Sequence, residues 1–168
     1  MLRKTAAIDV TEHRIERPKK KKKDYYSGKQ KCHTVKTQIV IDLATRVILF
    51  VRQAMGSVHD FSLYKESIGS SVSPAVKVKV DSGYQGIAAY HSNSDVPFKK
   101  SKKHSLTAEE KAFNRRLARE RMAIEHVNRE IKIVKIMSDR YRNRRRRHGL
   151  RMNLICAIRN SEIKHTNG

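Results

Sequence analysis

The chain has 168 residues, and its 38 lysines and arginines against 16 aspartates and glutamates give a formal charge of +22. That length fits one domain, and that charge calls for a polyanionic partner, with nucleic acid ahead of an anionic membrane surface. The longest strongly apolar run, Val47 to Val51, is too short to span a bilayer, the first residues lack the apolar stretch of a secretory signal, and two cysteines (Cys32 and Cys156) form neither a disulfide framework nor a CxxC zinc site, which points to a reduced, cytosolic compartment.

Taken in chain order, residues 5–10 read as a short strand with Ala6, Ile8 and Val10 on one side and Asp9 on the other. Pro18 and the run Lys19, Lys20, Lys21, Lys22 and Lys23 read as a loop. Residues 33–42 and 46–55 are rich in Val, Ile and Leu and predict a β-hairpin of largely buried strands. Gly56-Ser57-Val58-His59-Asp60 ends the hairpin, and Asp60 or Ser57 is placed to cap a short helix over about 61–68. Residues 76–81 alternate strictly, with the valines inward and Lys77, Lys79 and Asp81 on the other face. Ser82-Gly83 breaks that strand before a short helix over roughly 84–91, and Pro97 interrupts an extended piece. From Thr107, with Glu110 completing a capping box, a helical pattern runs to about 137. A basic turn and a last helix near 144–160 follow. Strands dominate the first half and helices the second, which suits an α/β domain with a mixed central sheet.

In so basic a chain the carboxylates are informative. Most lie in polar loops or in helical ion-pair positions, but Asp9 follows an apolar strand, Asp81 ends one, and Glu125 lies mid-helix. At 100° per residue, Phe113, Leu117, Ile124, Val127 and Ile131 form one stripe of the long helix. Arg121, Glu125 and Lys132 share an adjacent band, with Asn128 close by, so Glu125 borders the buried face. Taken singly, each acid has an ordinary reading: a turn aspartate for Asp9 and Asp81, an i,i+4 ion pair for Glu125. Taken together, three hard-oxygen donors from separate elements suit two-metal phosphodiester chemistry.

The blocks Asp9-Val10-Thr11-Glu12, Tyr26-Ser27-Gly28-Lys29-Gln30-Lys31-Cys32-His33, Gly56-Ser57-Val58-His59-Asp60, Asp81-Ser82-Gly83-Tyr84 and Asn114 through Lys132 occur in an order that resembles DDE transposases, nearest to bacterial insertion-sequence enzymes of the IS-five and Harbinger-like type. The resemblance runs from about residue 5 to 160. It implies an RNase H-like α/β fold and an acidic triad at Asp9, Asp81 and Glu125 that binds two Mg²⁺ (or Mn²⁺) ions. It also implies cleavage and strand transfer at element ends. The implied partners are terminal-repeat and target DNA and further copies of the chain, in a bacterial, nucleoid-associated setting. The spacing of Arg121, Glu125 and Lys132 matches the family's arginine–glutamate–lysine signature, whereas Ala118 stands at its tyrosine position and Val10 where glycine is usual. The family's helical N-terminal region is expected to be absent from residues 1–168, which then form a single catalytic domain, and an upstream reading frame is a candidate source of that segment.

Lys19 to Lys23 and the denser Arg142, Arg144, Arg145, Arg146 and Arg147 are candidate DNA contacts, with Tyr141 as a stacking surface and Arg121 and Lys132 positioning phosphates or the Glu125 carboxylate. The lysine run also reads as a solvated loop, and Tyr25 and Tyr26 read equally as stacking or core residues. Asp60 is expected to cap its helix and His59 to make a structural hydrogen bond. Two other functions remain open on sequence: an inactive or truncated transposase fragment that only binds DNA, and a non-catalytic basic nucleic-acid-binding protein.

Overall fold

The computed structural model describes residues 4–69, 71–101 and 105–166. The first strand, β1 (Thr5–Arg14), lies antiparallel to β3 (Cys32–Asp42), in a register from Ala6 opposite Asp42 to Arg14 opposite Thr34. A short helix, α1 (Lys22–Tyr25), and a two-residue strand, β2 (Tyr26–Ser27), come between them, and β2 pairs with the start of β3. The predicted hairpin forms from β3 and β4 (Ile48–Met55). β5 (Lys77–Lys79) runs parallel to β1 over Thr5–Ala7, and β6 (Ser94–Asp95) parallel to β5. The strand order is thus β4-β3-β1-β5-β6, antiparallel on one side of β1 and parallel on the other.

The period-2 alternation of β1 and β3 divides the side chains between two cores. Ala7, Ile39, Ile41 and Ile48 pack under the apolar stripe of α3 (Ala108–Ile133), with Met137 of α4 (Lys135–Ser138) and Met152 and Cys156 of α5 (His148–Thr166). Ala6, Ile8, Val40, Val78 and Val80 pack beneath α2 (Asp60–Ser67), around Tyr64 and Tyr84. Each fully buried aliphatic side chain contributes roughly 1.5–3 kcal/mol. Thr107 caps α3 through the predicted box, its hydroxyl accepting from the Glu110 N–H while the Glu110 carboxylate accepts from the Thr107 N–H. Gly56 closes the turn after β4 where no side chain fits, because a Cβ there would stand 2.6 Å from the Tyr25 carbonyl oxygen and 2.8 Å from that of Thr34. No helix among the described residues is long and apolar enough to cross a membrane.

Several elements differ from expectation. β1 extends past Val10 to Arg14, because β3 supplies hydrogen-bond partners that far. β5 is shorter than predicted, and Lys79 on it is buried rather than solvent-facing. Its ammonium donates to Asp95 at 3.0 Å and to Glu120 of α3 at 2.6 Å, the partners a buried charge requires. The long helix stops at Ile133, where Val134 turns to extended backbone. The single helix expected near 84–91 is two 3₁₀ turns, Ser82–Tyr84 and Ile87–Ala89. The last helix begins at His148, after a 3₁₀ turn at Arg145–Arg147. Tyr141 is buried beside Ile15 and Val35, so its ring offers no stacking surface.

Candidate active site

Because β5 stops early, β1 from about Val10 to His13 has no strand beside it on that flank among the described residues, and a notch opens there. Ala7 pairs with Lys79 across the parallel strands. The ladder ends at that pair, and Asp9 and Asp81 each lie two residues beyond it. A cleft of about 390 Å³ in the notch is lined by Asp9, Glu12, Asp60, Glu125, Asn128 and Lys132, among others.

Asp9 is held by α3. Its Oδ2 accepts from the Asn128 side-chain amide at 2.9 Å, and its Oδ1 lies 3.4 Å from the Arg121 guanidinium. Burial raises the Asp9 carboxyl to about 6; Arg121 opposes that rise, while the charges of Asp81 and Glu125 add to it. The charges of Asp81 and Glu125 thus both reach Asp9; Glu125 shares its cleft, whereas Asp81, two residues past the end of β5, is not among the residues that line it. Asp81 also caps the 3₁₀ turn that follows it, its Oδ1 accepting from the Gly83 N–H at 2.8 Å. Glu125 is exposed and makes no ion pair among the described residues, so the expected i,i+4 pair with Arg121 is absent. Arg121 turns to Asp9 instead because that carboxylate is the more buried.

The donor chemistry suits a hard divalent cation: Asp9 and Glu125 line one cleft, the charge of Asp81 reaches Asp9, and the Asp9 carboxyl is raised chiefly by burial, which a bound cation would offset. Among the described residues no three carboxylate, histidine or cysteine side chains are drawn tightly enough together to form a ready-made metal cage. Arg121 at Asp9 and the Gly83 N–H at Asp81 occupy oxygens that a cation would claim.

The neighbourhood holds polar groups that the sequence reading left without a role here. Asp60 is not a helix cap. His59 is the N-cap residue and makes no side-chain cap bond, while Asp60 lies in the first turn and accepts from Lys36 at 2.8 Å. Lys36 also donates to the Val58 carbonyl at 2.7 Å and lies 4.0 Å from Glu12, which itself accepts from the Thr34 hydroxyl. A Cβ on Gly83 would stand 3.0 Å from Asp81 Oδ1 and 3.6 Å from Asp60 Oδ2, so both carboxylates reach the neighbourhood of this residue. Tyr84 is fully buried and its hydroxyl has no hydrogen-bond partner among the described residues. Burial, reinforced by Asp60, Asp9 and Asp81, pushes its ionisation well above the usual tyrosine range. The quoted blocks at Gly56–Asp60 and Asp81–Tyr84 were the available signal for these residues.

The basic residues fall into two groups. Lys132 lines the acid cleft together with Lys29 and Arg129, which the sequence reading had not selected. Lys19 and Arg142, Arg144, Arg145 and Arg146 converge on a second groove, of about 1080 Å³, that also includes Arg17 and Tyr25. The Arg145 guanidinium lies 4.8 Å from the centre of the Tyr25 ring. Lys20 to Lys23 and Arg147 are exposed but do not line that groove. Tyr26 is exposed and meets the His33 ring edge-on.

Comparison with known proteins agrees with this picture. The chain is similar to a probable transposase for insertion sequence element IS702 from Microchaete diplosiphon, at 50% identity over 156 residues, which is 93% of this chain and 56% of that protein. It thus spans little more than half the length of the curated relative it matches. No solved structure matches. Residues 8–160 match the family model described as DDE superfamily endonuclease, a span that takes in Asp9, Asp81 and Glu125 together with both flanks of the cleft, and the chain belongs to that family.

Proposed function

We propose that this chain is the catalytic portion of an insertion-sequence transposase, with an RNase H-like fold, and that Asp9, Asp81 and Glu125 hold the metals that cut and rejoin DNA at element ends. DDE superfamily endonucleases depend on divalent metal in general. The observation that carries the reading is the cleft that Asp9 and Glu125 line together, where the charges of both Asp81 and Glu125 act on the buried Asp9 carboxyl although the three lie far apart in sequence. The strand order β4-β3-β1-β5-β6, with its antiparallel-to-parallel change at β1, supports the RNase H-like assignment.

Two bound Mg²⁺ or Mn²⁺ ions would supply activation of water, and later of a freed 3′-hydroxyl, for in-line attack at phosphorus, together with stabilisation of the leaving oxygen. The chain's own residues do the rest. Asn128 orients Asp9 through its Oδ2, and Arg121 holds the other oxygen against the repulsion of its acidic neighbours. Lys29, Arg129 and Lys132 offset phosphate charge at the rim of the cleft. The setting is the bacterial cytoplasm and its nucleoid, and further copies of the chain act together on paired DNA ends.

The test is nicking of supercoiled DNA with Mg²⁺ or Mn²⁺. Asp81→Asn and Glu125→Gln are expected to abolish nicking while DNA binding persists or tightens, since each removes a negative charge. Nicking that survives both substitutions, or that never occurs in the unaltered chain, would leave a passive DNA binder.

A further inference from the structure

We infer that the groove formed by Lys19, Arg17 and the turn Arg142–Arg146 is a second DNA-backbone site, fixed about seven base pairs along the duplex from the acid cleft. This rests on the DNA-cleaving reading above for what happens in the cleft, but the groove's affinity for DNA is measurable by itself.

The first argument is charge. Six cationic side chains from opposite ends of the sequence, Arg17, Lys19, Arg142, Arg144, Arg145 and Arg146, line one concavity with a single acid, Glu16. A mobile surface loop would not keep such mutually repelling charges together unaided, and this turn is fastened at both ends. On one side, the Tyr141 N–H donates to the Arg14 carbonyl at 2.8 Å and the Glu16 N–H donates to the Tyr141 carbonyl at 3.0 Å, which splices the turn onto the end of β1. On the other, His148 shares a 3.1 Å hydrogen bond with His13 of β1 and a 2.6 Å one with Gln53 of β4. Between these anchors the Arg145 guanidinium rests on the Tyr25 ring. The cations are therefore pre-positioned, which lowers the ordering cost of phosphate binding.

The second argument is distance. The strand that carries Asp9 ends at Arg14, and the chain runs on from it into Glu16 and Arg17 of the groove. From Asp9 to Glu16 there are seven steps of extended backbone, about 23 Å at ~3.3 Å each. B-DNA rises ~3.4 Å per base pair, so this span corresponds to about seven base pairs. Lys132 lines the acid cleft, and its charge also reaches His13 of the anchor. A duplex lying along the open flank of β1 meets cations at both ends and acids at only one.

The test is fluorescence anisotropy with labelled duplexes of 6 and 16 base pairs over a series of salt concentrations. It compares the full chain with Arg142→Gln/Arg144→Gln/Arg146→Gln and with a charge-matched control, Lys99→Gln/Lys100→Gln/Lys111→Gln, on exposed residues outside both sites. Losing three phosphate contacts lowers the log–log salt slope by about 2.7. Between 50 and 200 mM salt the unaltered chain then loses about 40-fold more affinity than the groove variant, whereas the control tracks the unaltered chain. Per binding register, the unaltered chain gains affinity on going from 6 to 16 base pairs and the groove variant does not. The single substitution Lys19→Glu repeats the effect in smaller measure if the triple variant folds poorly. A groove variant with the salt slope and length dependence of the control overturns the proposal, even where metal-dependent nicking is intact. Loss of binding in the groove variant, in a chain that never nicks DNA, sustains the groove and overturns the catalytic reading alone.

Discussion

The histidine pair that anchors the arginine turn makes the fold acid-sensitive by an amount that can be worked out. His13 and His148 are almost wholly buried. Burial lowers His13 to about 3, assisted by His148 and Lys132, and lowers His148 to about 4, assisted by Arg151. Both values lie below the ordinary histidine value, so their stabilising effect is complete above about pH 6.5 and is lost as pH falls through that value toward the folded ones. At pH 5 the unfolded chain gains about 2 kcal/mol for each histidine it protonates, roughly 4 kcal/mol for the pair. Asp9 works the other way. Its carboxyl is raised to about 6, so the folded chain takes up that proton first and recovers roughly 1.4 kcal/mol at pH 5. The expected net loss between pH 8 and pH 5 is about 3 kcal/mol, a large share of a typical domain's stability. Urea unfolding at pH 8, 6.5 and 5 measures it. In His13→Gln/His148→Gln the loss is expected to give way to the Asp9 gain of roughly 1.4 kcal/mol at pH 5, whatever the variant's stability at pH 8. A double variant with the wild-type pH slope would refute the claim that these two rings are held neutral.

Three further outcomes are expected. Asp9→Asn removes a carboxylate that burial, and after it the acidic neighbours, disfavour, so the variant unfolds at pH 8 no more easily than the parent and lacks the recovery of roughly 1.4 kcal/mol at pH 5; comparing the two unfolding curves at both pH values checks this. Gly56→Ala forces a methyl against the Thr34 and Tyr25 carbonyls and costs about 1–3 kcal/mol, read as a lowered urea midpoint. Thr107→Ala removes the hydroxyl that accepts from the Glu110 N–H and costs about 1 kcal/mol by the same measurement, with DNA binding unchanged.

Hydrophobic period was a sufficient guide wherever a segment faced a core. The β3–β4 hairpin, the apolar stripe of α3 and its capping box all followed from local pattern. Where the polypeptide builds the site, period says little, because the site's own polar groups occupy the inward positions. Thr11 and His13 on β1 are buried yet polar, so the strand seemed to end at Val10. Lys79 alternates correctly with the valines beside it, but its face lies beneath α3, and nothing local announces Asp95 and Glu120 as its partners. Asp60 had the composition of a cap and instead became the partner of Lys36, twenty-four residues away along the chain. Tyr141 sat among arginines in a way that suggested stacking on bases, whereas its backbone is spliced onto β1 and its ring is packed inside. The acidic residues themselves were legible because lone carboxylates at strand ends are conspicuous in a chain of charge +22. Which cation would turn toward which acid depended on relative burial, and that is set only once α3 crosses the sheet.

Calorimetric titration of Mn²⁺ into the full chain and into Asp9→Asn, Asp81→Asn and Glu125→Gln tests the central claim most directly. If the three carboxylates serve one metal centre, each substitution weakens Mn²⁺ binding at least tenfold and the double variant Asp9→Asn/Asp81→Asn abolishes it. Unchanged Mn²⁺ affinity in all three single variants would show that these acids do not share a cation, and the account of the cleft as a nuclease site would be wrong.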